Sequence, residues 1–507
     1  MRAAMKKKPL SSNAQWTFEL IETYDREIAR IAAKFKLDTY PNQIEIINSE
    51  QMMDAYASVG MPLHYNHWSY GKRFLDTSQN YEQGRMGLAY EIVINSDPCI
   101  AYLMEENTMT MQALVIAHAC YGHNSFFKGN YLFRTWTDAA SIVDYLVFAK
   151  NYIAKCEERY GIDEVESMLD SCHSLMNLGV NRYIRPPALT PEQESKNIAE
   201  REEYIQQHIN TLWTSIPSKE TEVENPKEQN FPSEPEENLL YFIEKNAPLL
   251  KPWQREIIRI VRKMAQYFYP QKQTQVMNEG WACFWHYTLL HELHNEGLVD
   301  DGFMLEFLQS HTSVIYQPAF DSPYFNGINP YTLGYNMMMD IKRICTEPTE
   351  EDCYWFPDIA GTPWLDTLHY AMKNFKDESF IQQYLSPHLM RELKLFSILD
   401  NTSKPTLKVS AIHNGSGYKQ LRESLANQYN LGYLEPNIQV YNVAVKGDRS
   451  LTLRHYIHQE RPLGDSANDV MAHLHKLWGF NIKLESVTSS GEVLKRYQYP
   501  MKAPADL

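Results

Sequence analysis

No apolar run of about 18 residues occurs in this 507-residue chain, so no helix able to span a bilayer is expected. The basic opening, MRAAMKKKPL, is not followed by an apolar segment, and no export signal is read there. Positive charge is in short supply. Against 63 Asp and Glu stand 48 Lys and Arg, a formal charge of −15 that argues against a general nucleic-acid-binding surface. The seven cysteines are odd in number and form no CxxC pair, the pattern of buried free thiols in a reducing compartment. A Ser-His-Asp elbow, the protein-kinase motif set and a complete Walker or GxGxxG sequence are also missing. The glycine-containing turn HNGSGYKQL, His413 to Leu421, is the weakest of the candidate sites, for a phosphate. What remains is an acidic, cytoplasmic, globular protein whose 44% hydrophobic content can fill more than one core.

Periodicity divides the chain in two. Residues 1–400 read mainly as helix: Leu20, Tyr24, Ile28, Ile31 and Phe35 recur at spacings of three and four behind Asn13, a candidate N-cap. Similar patterns run through DAASIVDYLVFAKNYIAKCEERYG, TQVMNEGWACFWHYTLLHELHNEG and YTLGYNMMMDIKRIC, the first stopping at Gly161. Within this region, residues 215–238 hold four prolines and seven glutamates with little to bury, and read as a flexible acidic insertion. From 401 to 507 the order is strand-helix-strand-strand-helix-strand, starting at PTLKVSAIH, as in a small split βαβ domain. The expected fold is a mainly α large domain followed by a small C-terminal α+β domain.

The chemistry concentrates in VIAHACYGHNSFFKGN, Val115 to Asn130. Zinc hydrolases with HExxH place two histidines four apart on one helical face, with a glutamate between them. Here His118 and His123 are five apart, about 140° out of register on a regular α-helix, and alanine takes the glutamate position. Gly122 offers a place for the helix to end or bulge and bring His123 back toward His118. By themselves these residues fit either a metal site or two hydrogen-bonded core histidines. Further along, Glu279, Cys283 and His286 share one face of an apolar, aromatic helix, where unpaired polar groups are costly to bury. His291 and His294 in HELHNEG read as a solvated last turn, and Asp340 with Arg343 as a structural i,i+3 pair. Other polar groups in aromatic surroundings include His67 in MPLHYNHWSYGKRF, and Glu91 and Glu105 upstream of His118.

HWSYGKRF, the long stretch from YEIVINSDPCIAYLMEEN through GHNSFFKGNYLF, QTQVMNEGWACFWHYTLLHEL, GINPYTLGYNMMMDIKRI and GDRSLTLRHYIHQERPL together resemble the SpoVR family (stage V sporulation protein R-like). The resemblance covers essentially the whole chain and favours the proteobacterial members, where a spore role does not apply. It implies a stress or starvation pathway, with a serine protein kinase and a von Willebrand A-domain protein as partners of a non-catalytic adaptor. Beside it stands a second expectation, drawn by analogy with zincins whose third ligand comes from a later helix. In that zincin-like core His118, His123 and Glu279 hold a divalent ion, zinc first, and His286 is a fourth ligand or a support. Glu91 and Glu105 are the candidate bases, and His67, Asn124 and Asn278 complete the pocket. The activity expected of it is hydrolysis of a peptide or peptidoglycan-like amide.

Overall fold

The computed structural model describes residues 8–11, 14–58, 64–82, 91–182, 200, 231–399, 408–411, 413–458 and 461–500. Most of the acidic insertion at 215–238 lies outside them. The chain forms two compact units: residues 1–169 with 266–435, and residues 170–265 with 436–507. The units therefore part at 435/436, not at 400, and the second also draws in residues from the middle of the chain.

The first unit is mainly helical and is built around the Gln275–Asn295 helix, in which thirteen residues are buried, among them Trp281, Phe284, Trp285, Leu289 and Leu293. A helix apolar on every side must be surrounded. It packs against Phe18–Lys34, Asp301–Val314, Pro330–Thr346 and the segment around His118. The Phe18–Lys34 helix buries Ile21, Tyr24, Ile28, Ile31 and Ala32 as its periodicity requires, but its N-cap is Thr17, not Asn13. Ile142–Tyr160 ends at Gly161, whose φ of 92° suits a residue without a Cβ.

Two packing devices hold the central helix. Its N-cap, Thr274, makes no side-chain cap bond. The exposed amides are met by a distant carboxylate: Asp377 Oδ2 accepts from Val276 N at 2.9 Å and Oδ1 from Met277 N at 2.8 Å. Asp377 is fully buried, and that burial pushes its carboxyl up to about 7. The second device is backbone contact without side chains between. A Cβ on Gly280 would stand 2.3 Å from Gly334 C, and one on Gly334 would stand 2.0 Å from Val276 O.

A three-stranded sheet closes one side of this unit. Asn42–Ile47 runs parallel to Cys99–Met104, and Glu91–Ile94 pairs antiparallel on the other edge of that strand. Alternation along Glu91–Ile94 sends Ile92 toward Met52 and Ala55, while Val93 packs on the main core. Glu91 lies on the Val93 face. Among the described residues no helix is long and apolar enough to cross a membrane.

The second unit carries a four-stranded sheet of Asn437–Val443, Leu451–Tyr456, Ile482–Val487 and Val493–Tyr499 in sequence order. Its middle pair is parallel and joined by the Ala467–Trp478 helix. The small C-terminal sheet domain is therefore present, but its strands do not include PTLKVSAIH. Lys408–Ala411 pairs instead with Ser397–Leu399 in a separate two-stranded sheet of the first unit. Alternating side chains mark a strand without naming its partner.

Three substitutions test these helix contacts. Gly280→Ala must push two backbones apart and should cost at least about 3 kcal/mol. Gly71→Ala, at a helical position with nothing within 4 Å of the added methyl, should be neutral or stabilise by up to about 1 kcal/mol. Asp377→Ala removes the cap and should cost about 1–2 kcal/mol. Urea unfolding of the three variants measures all of this, and equal midpoints for the two glycine variants would refute the packing account.

Candidate metal centre

Ile116–His123 is a π-helix, inserted between the α-helices Met109–Val115 and Asn124–Gly129. A π-turn closes hydrogen bonds between residues five apart and stacks them on one face. The five-residue spacing of His118 and His123 is therefore in register, and their ring centroids lie 4.6 Å apart. Gly122 neither ends the helix nor frees His123 by flexibility. It seats the π-helix on the central helix, where a Cβ would come within 2.6 Å of Ala282 Cα.

Across that contact the central helix supplies Asn278 and Glu279. His123 Nδ1 donates to Asn278 Oδ1 at 3.0 Å, which leaves the Nε2 lone pair facing Glu279 Oε2 at 3.5 Å. The same oxygen is 3.9 Å from His118 Nε2, and Glu91 Oε1 approaches that nitrogen to 3.2 Å from the sheet edge. All four side chains are less than one-fifth exposed. Glu279 has a hydrogen bond with Tyr331, yet its buried Oε2 accepts none.

Burial shifts Glu91, Glu279 and His118 toward their neutral forms. Burial pushes Glu91 well above the ordinary carboxylate range, and the nearby Glu279 adds to this. Glu279 is raised by burial, against the opposing pull of His123 and Tyr331. His118 is driven well below the usual imidazole range, first by burial and then by His123, His286 and His311. Two ionised carboxylates repel one another where burial limits screening, and a divalent ion would attract both. Glu91, His118 and His123 present ligand atoms within 4.8 Å of one another, as does the set His118, Cys283 and His286. The donors suit zinc, which takes imidazole and carboxylate ligands.

The other sequence candidates fall in different places. His286 lies behind His118, its Nδ1 2.8 Å from His118 Nδ1. Asn124 is a brace: its amide donates to Tyr40 O and Asn42 Oδ1 and accepts from Tyr40 N. Glu105 is exposed on the turn after its strand, away from the buried group that holds Glu91. His67 contacts Ser69 and lines a separate cavity of about 600 Å³ with Tyr65, Tyr70 and Phe74. His294 meets Asp301 at the helix end, and Arg343 bridges Asp340 and Asp352, both structural as expected. The sequence reading missed His311 and Tyr331. His311 had a signal, since it follows Phe303 and Phe307 at steps of four on a buried helical face. Tyr331 had none.

Comparison with known proteins fits this arrangement to one lineage. Residues 15–434 match the family model described as SpoVR like protein, and residues 436–489 match the SpoVR-like C-terminal domain. The break between them coincides with the last of the three chain boundaries between the compact units, at 435/436. A relative from Escherichia coli (strain K12), named "Uncharacterized protein YcgB", is 62% identical over 484 residues, 96% of this chain and 95% of the relative. No solved structure matches. With two family models meeting end to end across nearly its whole length, the chain belongs to the SpoVR family.

Proposed function

We propose that this SpoVR-family chain is a metal-dependent hydrolase that binds one divalent ion, zinc first, and cleaves a peptide or peptidoglycan-like amide. The observation that carries this is Glu279 Oε2, a buried oxygen that accepts no hydrogen bond and lies 3.5 Å from His123 Nε2 and 3.9 Å from His118 Nε2. Zincins stack two histidines by spacing them four apart on an α-helix. Here a π-helix stacks them at a spacing of five, and the third ligand again comes from a later helix.

When bound, zinc would polarise the substrate carbonyl and make a water acidic enough to attack it. The chain's own residues do the rest. Asn278 fixes His123 with Nε2 toward the site. Tyr331 holds Glu279 in place. Glu91, on the strand edge rather than between the histidines, is the remaining carboxylate and takes the proton from the attacking water, then passes it to the leaving amine. Burial raises its affinity for protons.

Protein purified without added metal should contain about one zinc per chain by elemental analysis, and His118→Ala or Glu279→Gln should lose it. Metal-free wild-type protein whose thermal unfolding does not shift on adding zinc would remove the proposal. Glu91→Gln should keep the metal but lower amide hydrolysis by about 10²–10⁴-fold, assayed on peptide and muropeptide amides.

A further inference from the structure

Three histidines from three helices form one continuous hydrogen-bonded chain. His118 Nδ1 lies 2.8 Å from His286 Nδ1, and His286 Nε2 lies 2.7 Å from His311 Nδ1. His286 is 1% exposed and His311 2%. At the far end, His311 Nε2 is buried with no hydrogen-bond partner, beside the rings of Tyr335 and Tyr287. At the near end, His118 Nε2 faces Glu91 and Glu279.

Proton counting restricts this chain to two arrangements. Three neutral imidazoles carry three N–H protons, and each of the two N···N contacts needs one of them. A single proton is left over, and it sits either on His118 Nε2 or on His311 Nε2. In the first arrangement the nitrogen that faces the carboxylates is blocked. In the second, His118 donates from Nδ1 to His286, His286 donates from Nε2 to His311, and His118 Nε2 presents a lone pair.

Resting on the metal reading above, we infer that His286 and His311 are positioning residues that set the tautomer of His118 and so decide whether its Nε2 can ligate. Metal binding selects the arrangement in which every proton points away from the centre. His118 Nε2 gives its proton to a facing carboxylate, His286 passes its Nδ1 proton to His118, His311 passes its Nδ1 proton to His286, and His311 Nε2 takes one from water, so no ring changes charge. His286 is therefore not a ligand but the link between His118 and a histidine on a third helix. Partners of this kind typically govern metal affinity by 10–100-fold.

Zinc titration of the full-length protein by calorimetry tests this. His311→Phe keeps the bulk of the ring but gives His286 Nε2–H no acceptor, so zinc affinity should fall 10–100-fold. His311→Asn restores an acceptor oxygen and should recover most of that loss, which a purely structural role would not predict. Unchanged affinity in His311→Phe, or equal loss in both variants, would overturn the inference while leaving the metal centre standing. Wild-type protein that binds no zinc would sink the metal reading and this inference with it. Should His311→Phe not fold, ¹⁵N-histidine spectra of the zinc-loaded wild type decide the matter. Protonated Nε2 on both His286 and His311 is expected, and protonated Nδ1 on either contradicts the chain.

Discussion

Everything at the candidate centre depends on how closely three helical backbones approach. Gly122 lets the π-helix lie on the central helix at Ala282, and Gly280 lets the central helix lie on Pro330–Thr346 at Gly334. A side chain at either contact would hold the helices apart by roughly the width of a methyl group, and distances of 3–4 Å between ligand atoms would not survive it. The same contacts bring Tyr331, from the third helix, to Glu279. Close packing of small residues brings together here what a shared sequence motif brings together in zinc hydrolases.

The π-helix is the second constraint, and it resolves the conflict in the histidine spacing. Viewed as an α-helix, HACYGH scatters its histidines. With i→i+5 bonding it stacks them, and Asn278 then fixes the direction of the second ring. The chain departs from HExxH in two places, spacing and missing glutamate; the first is met within the helix and the second from outside it. The spacing is absorbed by the wider turn. A carboxylate arrives from the sheet edge, because the alternation of Glu91–Ile94 turns Glu91 to the same side as the core-facing Val93.

Much of the fold was readable from spacing alone. The central helix, the Phe18–Lys34 face, the stop at Gly161 and the individual strands from Asn437 onward all follow from local periodicity and turn chemistry. Pairing and partition were not readable. Lys408–Ala411 was recognisable as a strand but joined a different sheet, and residues 170–265 grouped with the C-terminal unit across a long sequence gap. Glu91 and Glu105 were equivalent as letters. One sits at the half-buried start of an edge strand and the other in the exposed turn after the next.

By itself the sequence determined that polar groups lie on apolar helices: His118 and His123 on one, Glu279 and His286 on another. Unpaired burial is costly, so these groups had to find partners. Which partners they found was decided by tertiary structure alone. The bonding pattern of a single helical turn set whether two histidines stack, and glycine contacts set which carboxylate reaches them. The fold of a third helix placed His311 at the end of the chain behind His118. Such distances arise from residues about 160 positions apart in sequence, and local pattern carries no record of them.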